Sequence, residues 1–269
     1  SSYLALLAKN NGLRTLLVHF DNGWNSELAV KNIEKIIDYC DFDLHTVVTD
    51  WESFKSLQKA YFKASVVDIE VPTDHLIVGA LYSIARKKNI KSILSGANVA
   101  TEFIMPSGWN FPNKGDFTNL SNIYKKYGKG SISNLITYDY YSMFINKNFR
   151  NILSRSLLNY TNYSKSVAKR DLQKEIGWID YGGKHFESIF TRFYQGYILP
   201  KKFNVDKRRA HLSTLILTGE ISREAALEEL NLPTYNPKLQ IEDLEYVLGK
   251  LEISKIEFEN IMNYPIVSH

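Results

Sequence analysis

Polar and acidic side chains follow two apolar runs of strand length. The run LRTLLVHF ends in His19-Phe20-Asp21-Asn22-Gly23, and the run KSIL ends in Ser95-Gly96-Ala97-Asn98, with Glu102 four residues later. Backbone at the ends of parallel strands can read an adenine edge, and carboxylates can hold Mg²⁺ against phosphates. Asn22-Gly23 also favours a simple turn, so D-N-G taken alone predicts a turn more readily than a ligand site.

Two helix starts carry further candidates. Ser1 and Ser2 precede the apolar residues of a helical repeat, and their hydroxyls suit the free N–H groups of a first turn. Asp74 follows Pro72-Thr73 at the start of another helix, where a carboxylate meets the positive end of the helix dipole. An ordinary surface carboxylate would look the same in the sequence.

The second half of the chain is dense in groups that can bind anions. Gly182-Gly183 precedes Lys184 and His185, and the glycines allow a tight backbone turn near a ligand. If KHFESIFTRFYQ is helical, His185, Ser188 and Arg192 share one face. Further cations follow in a short span: Lys201, Lys202, Lys207, Arg208 and Arg209. Each residue alone fits a solvated basic face, whereas the interleaved glycines and aromatics favour a phosphate-bearing ligand.

The elements that must position these residues alternate at first between strand and helix. Strands are predicted at about 14–20, 43–49 and 91–94, separated by helices of ten or more residues, which indicates a parallel sheet with covered faces. In the helix NSELAVKNIEKIIDYC the predicted buried face is Val30, Ile33, Ile37 and Cys40, with Ala29 and Ile36 beside it. We expect an α/β region over residues 1–103, a long loop at 105–119, and a mainly helical region over 104–269.

Composition narrows the class of protein. The chain has 269 residues, 44% hydrophobic and 23% charged, as in ordinary globular proteins. Its net charge of +4 is too mild to indicate a nucleic-acid partner, and no apolar run is long enough to cross a membrane. Cys40 is the single cysteine, which excludes an internal disulfide and a cysteine-based zinc site, and it is expected in the core.

These segments together resemble the PP-loop ATP pyrophosphatases. The matching features are Ser1-Ser2 at a helix start, D-N-G after a strand, P-T-D-H at a helix start, and L-S-G-A-N-x-x-T-E. Ser1-Ser2 resemble the last two residues of the phosphate loop S-G-G-x-D-S-[ST]. The resemblance implies a doubly wound parallel sheet of the adenine nucleotide alpha hydrolase-like, HUP-type fold, with the first strand and the phosphate loop expected upstream of Ser1.

The second half resembles one branch of that superfamily, the N-acetyl sugar amidotransferases of surface polysaccharide, O-antigen and flagellin-sugar biosynthesis. The segments that carry this resemblance are G-W-x-D-Y-G-G-K-H-x-E-S and L-P-K-K-F-x-x-D-K-R-x-x-H-x-S. It implies a cytoplasmic ATP-dependent enzyme that adenylates the acetamido oxygen of a nucleotide-linked N-acetyl sugar and introduces ammonia-derived nitrogen, forming an acetamidino group, AMP and pyrophosphate. Members commonly carry paired cysteines near their amino end, so zinc would be held only by residues upstream.

The resemblance also implies roles for individual residues. Adenosine and phosphate contacts are expected from Ser1, Ser2, His19, Phe20, Asp21, Asn22, Gly96, Ala97 and Asn98. Asp74 and Glu102 are expected near Mg²⁺. The residues expected to act in catalysis and in binding the sugar nucleotide are Lys184, His185, Arg192, Lys201, Lys202, Lys207 and Arg208. A class-I glutaminase needs an accessible cysteine nucleophile, so we expect a separate glutaminase subunit to supply ammonia.

Two alternatives stay open at this stage. A PP-loop enzyme that modifies tRNA without inserting sulfur, such as a lysidine synthase-like ligase, would use the same fold and a basic second half, although we consider a nucleic-acid substrate the weaker hypothesis. A non-catalytic adenine-nucleotide-binding protein would also share the fold, because function resides in the site.

Overall fold

The computed structural model describes residues 1–109 and 111–269; residue 110, within the loop predicted at 105–119, lies outside the description. Strands and helices alternate over the first 102 residues, and helices dominate thereafter. The strands are β1 (Leu16–Asp21), β2 (Asp43–Val48), β3 (Ser92–Leu94) and β4 (Leu153–Arg155). The first helices are α1 (Ser2–Asn10), α2 (Glu27–Cys40), α3 (Trp51–Ala64), α4 (Val71–Lys87) and α5 (Val99–Glu102). They are followed by α6 (Phe117–Tyr127), α7 (Tyr140–Asn148), α8 (Lys165–Ile176), α9 (Ile189–Phe193), α10 (Leu199–Phe203), α11 (Lys207–Leu217), α12 (Arg223–Asn231), α13 (Pro237–Leu251) and α14 (Lys255–Asn263).

The strands form two separate parallel pairs. β1 pairs with β2 in the register Leu16↔Asp43, and β3 pairs with β4 in the register Ser92↔Leu153. The three strands expected from sequence are present. β4 lies past the expected boundary at residue 103, so the mainly helical region contributes a strand to the α/β part. Short polar β4 carries no alternating apolar pattern, and sequence reasoning did not find it.

Helix α4 packs against both strand pairs. Ala80 and Ile84 contact the β1 side chains Leu16 and Val18, whereas Tyr82 and Ala85 pack with Ile93 of β3. These residues form two neighbouring stripes of one helix. A single helix therefore spans two strands that are hydrogen-bonded to β2 and β4 rather than to each other. We refer to the space between β1 and β3 as the inter-sheet gap.

The opposite face of β1 is covered by α1, α2 and α8. Leu6, Ile36, Cys40 and Leu172 form a compact cluster there, with Leu17 of β1 packed against it. Burial raises the pKa of the Cys40 thiol, which fits a core residue rather than a nucleophile.

The predicted buried face of α2 is wrong by part of a turn. Val30 is 44% exposed, whereas Asn32 is fully buried and exchanges two hydrogen bonds with the backbone of Ile179, Nδ2 to O at 2.8 Å and N to Oδ1 at 2.9 Å. The segment after α8 lies on this face. The residues of α2 that are buried are Ala29, Asn32, Ile36 and Cys40. The apolar pattern of α2 alone does not show this orientation of the helix.

The largest core cluster joins α3 to the carboxyl-terminal helices. Trp24, Phe54, Phe190 and Phe193 are fully buried in it. α9 continues through a π-helical turn, Tyr194–Ile198, into α10. The predicted helix pair is confirmed as α11 and α12, with Ser222 capping α12 by accepting a hydrogen bond from the Ala225 N–H at 3.1 Å. Across the described residues, every helix is too short or too polar to cross a bilayer.

Candidate functional site

The start of α1 lies directly against the carboxyl end of β3. A methyl group placed on Gly96 would come within 2.9 Å of the Ser1 N atom and 3.1 Å of its Cα, so only glycine permits this approach. Ser1 holds the N-cap position, but its hydroxyl makes no capping hydrogen bond. Asn98 caps α5 by accepting from the Thr101 N–H at 3.0 Å. The two segments that sequence reasoning linked by resemblance are therefore adjacent in space.

Charged residues of the second half surround this junction. Lys184 Nζ lies 3.4 Å from Glu102 Oε1 and donates to the Thr101 carbonyl at 3.3 Å. His185 Nδ1 lies 3.5 Å from Glu187 Oε1. Burial acts to raise the pKa of the Glu187 carboxyl, but the hydrogen bond from His185 outweighs burial and the pKa is lowered overall. We call this group, Ser1, Gly96, Glu102, Lys184 and Glu187, the α1–β3 site.

The carboxyl end of β1 joins the site through the segment around Glu187. The Ser26 N–H donates to the Glu187 carbonyl, and the Ile189 N–H donates to the Trp24 carbonyl, each at 2.9 Å. Between them, Asn25 Nδ2 lies 3.2 Å from His19 Nε2 and 3.4 Å from Asp21 Oδ1.

The D-N-G segment itself is a turn, one of the two outcomes that its sequence left open. Asp21 Oδ1 accepts from the Gly23 N–H at 2.8 Å, and Gly23 has φ +78°. Phe20 packs into the core, and Asn22 is buried with Nδ2 donating to Thr73 Oγ1 at 3.3 Å. At this strand end, His19 and Asp21 are the predicted residues whose side chains contact Asn25, next to the segment around Glu187.

A second charged group lies at the start of α4. Lys114 forms ion pairs with Asp74 and, at 3.5 Å, with the fully buried Asp68. Glu70 accepts a hydrogen bond from Thr191 Oγ1 at 2.7 Å. Burial, and then the charge of Asp74, raises the pKa of Glu70 well above its usual range. This acid–lysine cluster comprises Asp68, Glu70, Asp74, Lys114 and Lys207.

His75 explains why Lys114 reaches this cluster from a distant loop. Its Nδ1 lies 3.0 Å from the Lys114 carbonyl, and its Nε2 accepts from the Tyr138 N–H at 3.2 Å. A ring donating to a carbonyl through Nδ1 is neutral with a free lone pair on Nε2, which matches both contacts. The P-T-D-H segment was singled out for Asp74, and the anchoring role of His75 was missed.

Helix α11 connects the two groups. Burial and the charge of Lys114 lower the pKa of Lys207, while Asp68, Glu70 and Asp74 oppose the change. His211, one helical turn later on α11, donates through Nδ1 to the Thr101 carbonyl oxygen beside Lys184 at 3.1 Å. A turn advances about 5.4 Å. The acid–lysine cluster and the α1–β3 site are thus neighbouring parts of one polar region.

Sequence reasoning missed two residues of this region, Lys165 and His211. Lys165 Nζ lies 3.0 Å from His211 Nε2. Burial, followed by the charges of Lys165 and Lys184, lowers the pKa of His211 to about 3, so its imidazole is neutral. His211 stands in the quoted K-R-x-x-H segment, which was a usable signal; Lys165, at the start of α8, had none.

The other predicted cations lie in structural contacts. KHFESIFTRFYQ is not one helix: His185 has φ +64°, and α9 begins only at Ile189, so His185 and Arg192 do not share a helical face. Arg192 forms a bidentate ion pair with the buried Asp243, with both bonds at 2.7 Å. Lys202 donates to carbonyls at the end of α14, including that of Tyr264 at 3.1 Å.

Arg208 and Lys201 are likewise accounted for away from the site. Arg208 pairs with Asp206 at 2.8 Å and donates to carbonyls at the end of α12, including that of Leu232 at 2.9 Å. Lys201 lies over the ring of Tyr197 at 4.3 Å. Among the predicted catalytic residues, Lys184, His185 and Lys207 are the ones that the fold brings to the polar region.

The predicted magnesium ligands have separate partners. Glu102 pairs with Lys184 and Asp74 with Lys114, and in residues 1–109 and 111–269 no three His, Cys, Asp or Glu side chains are grouped to hold a metal. Mg²⁺ in nucleotide sites is commonly held by one or two carboxylates together with phosphates. Glu102, next to Ser1 and Gly96, fits that donor set; Asp74 belongs to the acid–lysine cluster instead.

Comparison with known families gives a match in the carboxyl-terminal third of the chain. Residues 187–269 match the model of the LPS biosynthesis protein WbpG-like, C-terminal domain. This supports a protein of lipopolysaccharide biosynthesis. The matched segment begins at Glu187 of the α1–β3 site and runs through α14, so it includes Lys207 and His211. No curated protein matches the chain.

Proposed function

We propose that the chain is an ATP-dependent amidotransferase of the PP-loop type, acting on a nucleotide-linked N-acetyl sugar for surface polysaccharide biosynthesis. The observation that carries the proposal is the junction of Ser1 and Gly96, where a helix start meets the carboxyl end of a parallel strand among charged side chains. In α/β sheets, ligands bind at that edge, and helix N-termini favour phosphates.

The proposed chemistry overcomes the low reactivity of an amide. The acetamido oxygen attacks the α-phosphorus of ATP, an O–P bond forms, and the bond to the β-phosphate oxygen breaks to release pyrophosphate. Ammonia then attacks the imidate carbon, and the C–O bond breaks with AMP as leaving group. The product is an acetamidino sugar. Stabilising the negative charge on the departing phosphates is the largest contribution that fixed cations can make.

The chain's own residues divide this work between the two groups. Lys184, held near Glu102 and the Thr101 carbonyl, is placed to contact phosphate oxygens at the start of α1. Mg²⁺, bound by Glu102 and phosphate oxygens together, would offset further charge. The polar sugar is assigned to the acid–lysine cluster, where Glu70 accepts from Thr191 Oγ1 and Lys207 lies within the electrostatic influence of Asp68, Glu70 and Asp74.

A doubly wound sheet is part of the same proposal. α4 contacts β1 and β3 on two adjacent stripes, and α1 starts beside the end of β3 while packing on the opposite face of β1. A parallel strand that leads into Ser1 and occupies the inter-sheet gap would join β2, β1, β3 and β4 into one sheet. Its connection to α1 would then pass the proposed phosphate position.

Ammonia is proposed to come from a separate glutaminase. Cys40, the single cysteine, is buried in the cluster of α1, α2 and α8, so it is inaccessible to glutamine. Activity with glutamine by the purified chain, without any other protein, would contradict this part of the proposal.

Sugar-dependent pyrophosphate release tests the function. We expect release from ATP to require a nucleotide-linked N-acetyl sugar and ammonium, and to fall at least about tenfold in Lys184→Met, since a charged hydrogen bond contributes roughly 1.5–3 kcal/mol. Lys201→Met is the matched control, because the Lys201 ammonium lies over the Tyr197 ring rather than in the α1–β3 site. Release that is equally fast without sugar, or stimulated by tRNA instead, would overturn the proposal.

A further inference from the structure

Three elements far apart in the chain converge on one imidazole. His211 belongs to α11, Lys165 starts α8, and Thr101 lies in α5. His211 Nδ1 is 3.1 Å from the Thr101 carbonyl oxygen, and His211 Nε2 is 3.0 Å from Lys165 Nζ. Lys184 Nζ reaches the same Thr101 carbonyl at 3.3 Å. Two lysines therefore meet around one carbonyl oxygen and one ring.

The direction of each hydrogen bond follows from chemistry. A carbonyl oxygen only accepts, so the proton of His211 is on Nδ1. Nε2 then carries a lone pair and accepts from the ammonium of Lys165. The ring is neutral, in keeping with its lowered pKa, and it fixes the direction of the lysine without neutralising its charge.

Lys165 lacks the carboxylate partner that its neighbours have. Lys169 pairs with Asp180 and Lys184 with Glu102. The Glu220 carboxylate accepts from the backbone N–H of Lys165 at 2.7 Å rather than from its ammonium.

The charged groups that act on the Lys165 ammonium come from α8, from α12 and from the segment between α8 and α9. Burial and the charges of Lys169 and Lys184 lower its pKa, and Glu229 and Asp180 oppose this. Across the described residues, Lys165 makes no ion pair. A partly buried ammonium that is oriented but unpaired, as Lys165 is, costs free energy unless an anion completes the site.

We propose that Lys165, oriented by His211, binds a diphosphate group together with Lys184. This inference rests on the proposed function for the identity of the ligand, since both ATP and a nucleotide-linked sugar carry that group. Lys165 is a binding residue in this assignment, and His211 is a positioning residue that acts through it.

Calorimetric titration with inorganic pyrophosphate tests the assignment without requiring turnover. We expect Lys165→Met to weaken binding at least about tenfold and Lys165→Arg to retain most of it, because arginine keeps the charge. Lys174→Met is the matched control, as Lys174 is exposed on the same helix, α8. His211→Asn, which can still donate to Thr101 but is too short to reach Lys165, should weaken binding less than Lys165→Met.

Proton uptake separates a binding role from a merely structural one. A bound anion raises the pKa of Lys165, so near pH 8.5 the wild type should take up more protons on binding than Lys165→Met, measured in two buffers of different ionisation enthalpy. Equal affinity and equal proton uptake in wild type and Lys165→Met would overturn the assignment. If pyrophosphate binds through Lys165 while sugar-dependent pyrophosphate release is absent, the subsite stands and the proposed function fails.

Competition identifies the source of the diphosphate. If the subsite holds the ATP phosphates, pyrophosphate and ATP should compete for binding. Lys165→Met should then have a lower affinity for both ligands. If the subsite holds the sugar nucleotide, Lys165→Met should bind a nucleoside diphosphate more weakly than the wild type does, while its affinity for ATP stays unchanged. Unchanged affinity for pyrophosphate, ATP and nucleoside diphosphate in that variant contradicts both forms of the proposal.

Discussion

At the scale of single residues, Gly96 is the position of the candidate site where the fold leaves no room for a side chain. In Gly96→Ala, the added methyl would meet backbone atoms of Ser1 at 2.9 and 3.1 Å, which side-chain rotation cannot relieve. We expect unfolding free energy to fall by about 1–3 kcal/mol and ATP affinity to fall, because α1 must shift away from β3. Urea unfolding and calorimetric titration with ATP measure the two effects.

The control for that variant is Gly249→Ala within α13. Nothing lies within 4 Å of the added methyl, so we expect a gain of roughly 0.5–1 kcal/mol from helix propensity. If Gly96→Ala matches the wild type in both stability and ATP affinity, α1 and β3 are not in the contact described.

Glu70 makes stability depend on pH. Its folded pKa is raised, whereas the unfolded value is about 4.3, so above that pH the folded state keeps a proton that the unfolded state loses. Stability should therefore fall as pH rises from about 5 to 8. Gln at this position can still accept from Thr191, so Glu70→Gln should show a flatter dependence and a gain at pH 8.

Urea unfolding at several pH values measures the effect, and Glu34→Gln, at an exposed position of α2, is the control. A pH dependence as steep in Glu70→Gln as in the wild type would show that Glu70 ionises normally in the fold.

The sequence predicted which segments carry charge, but not which cations meet. Lys184, His185 and Lys207 reach the polar region, whereas Arg192 pairs with Asp243 from α13, fifty-one residues away. A basic residue looks the same whether its partner is a buried carboxylate, a helix end or a ligand. The partner is chosen by tertiary packing, which a one-dimensional pattern does not contain.

At the scale of elements, prediction was most successful where helical and strand periodicities are long. α1 to α4, β1, β2 and the pair α11–α12 lie where their patterns indicate. β4 and the break before α9 were missed, because both are short and set by their neighbours. α2 shows a third kind of error, in which the element is correct and its orientation is not.

The orientation of α2 is testable with two truncations on the same helix. Ile36→Ala should cost about 2–5 kcal/mol, because Ile36 is 7% exposed and packed beside Cys40. Val30→Ala, at a position 44% exposed, should change stability by less than about 1 kcal/mol. Equal losses in the two variants, measured by urea unfolding, would restore the face that the sequence pattern suggests.

At the scale of the whole molecule, the two strand pairs allow a direct test of the proposed doubly wound sheet. A parallel strand in the inter-sheet gap would accept hydrogen bonds from β1 and β3 amides that are not bonded to β2 or β4. We expect those amides to exchange slowly with solvent. Hydrogen exchange with residue-level detection measures this protection. Fast exchange at those amides in a protein that binds ATP at the α1–β3 site would contradict a single doubly wound sheet.

Backbone pairing between Trp24–Ser26 and Glu187–Ile189 sets how the chain can be divided. The segment matched by the family model opens on one half of that pairing, and Phe190 beside it packs against Trp24 in a tilted arrangement with ring centroids 5.2 Å apart. Cutting the gene just before Glu187 would leave both fragments with bare aromatic surfaces and unmatched amides. Recombinant work on this protein should therefore keep the two stretches in one polypeptide, since the segment that the family model matches does not bury its own aromatic surface.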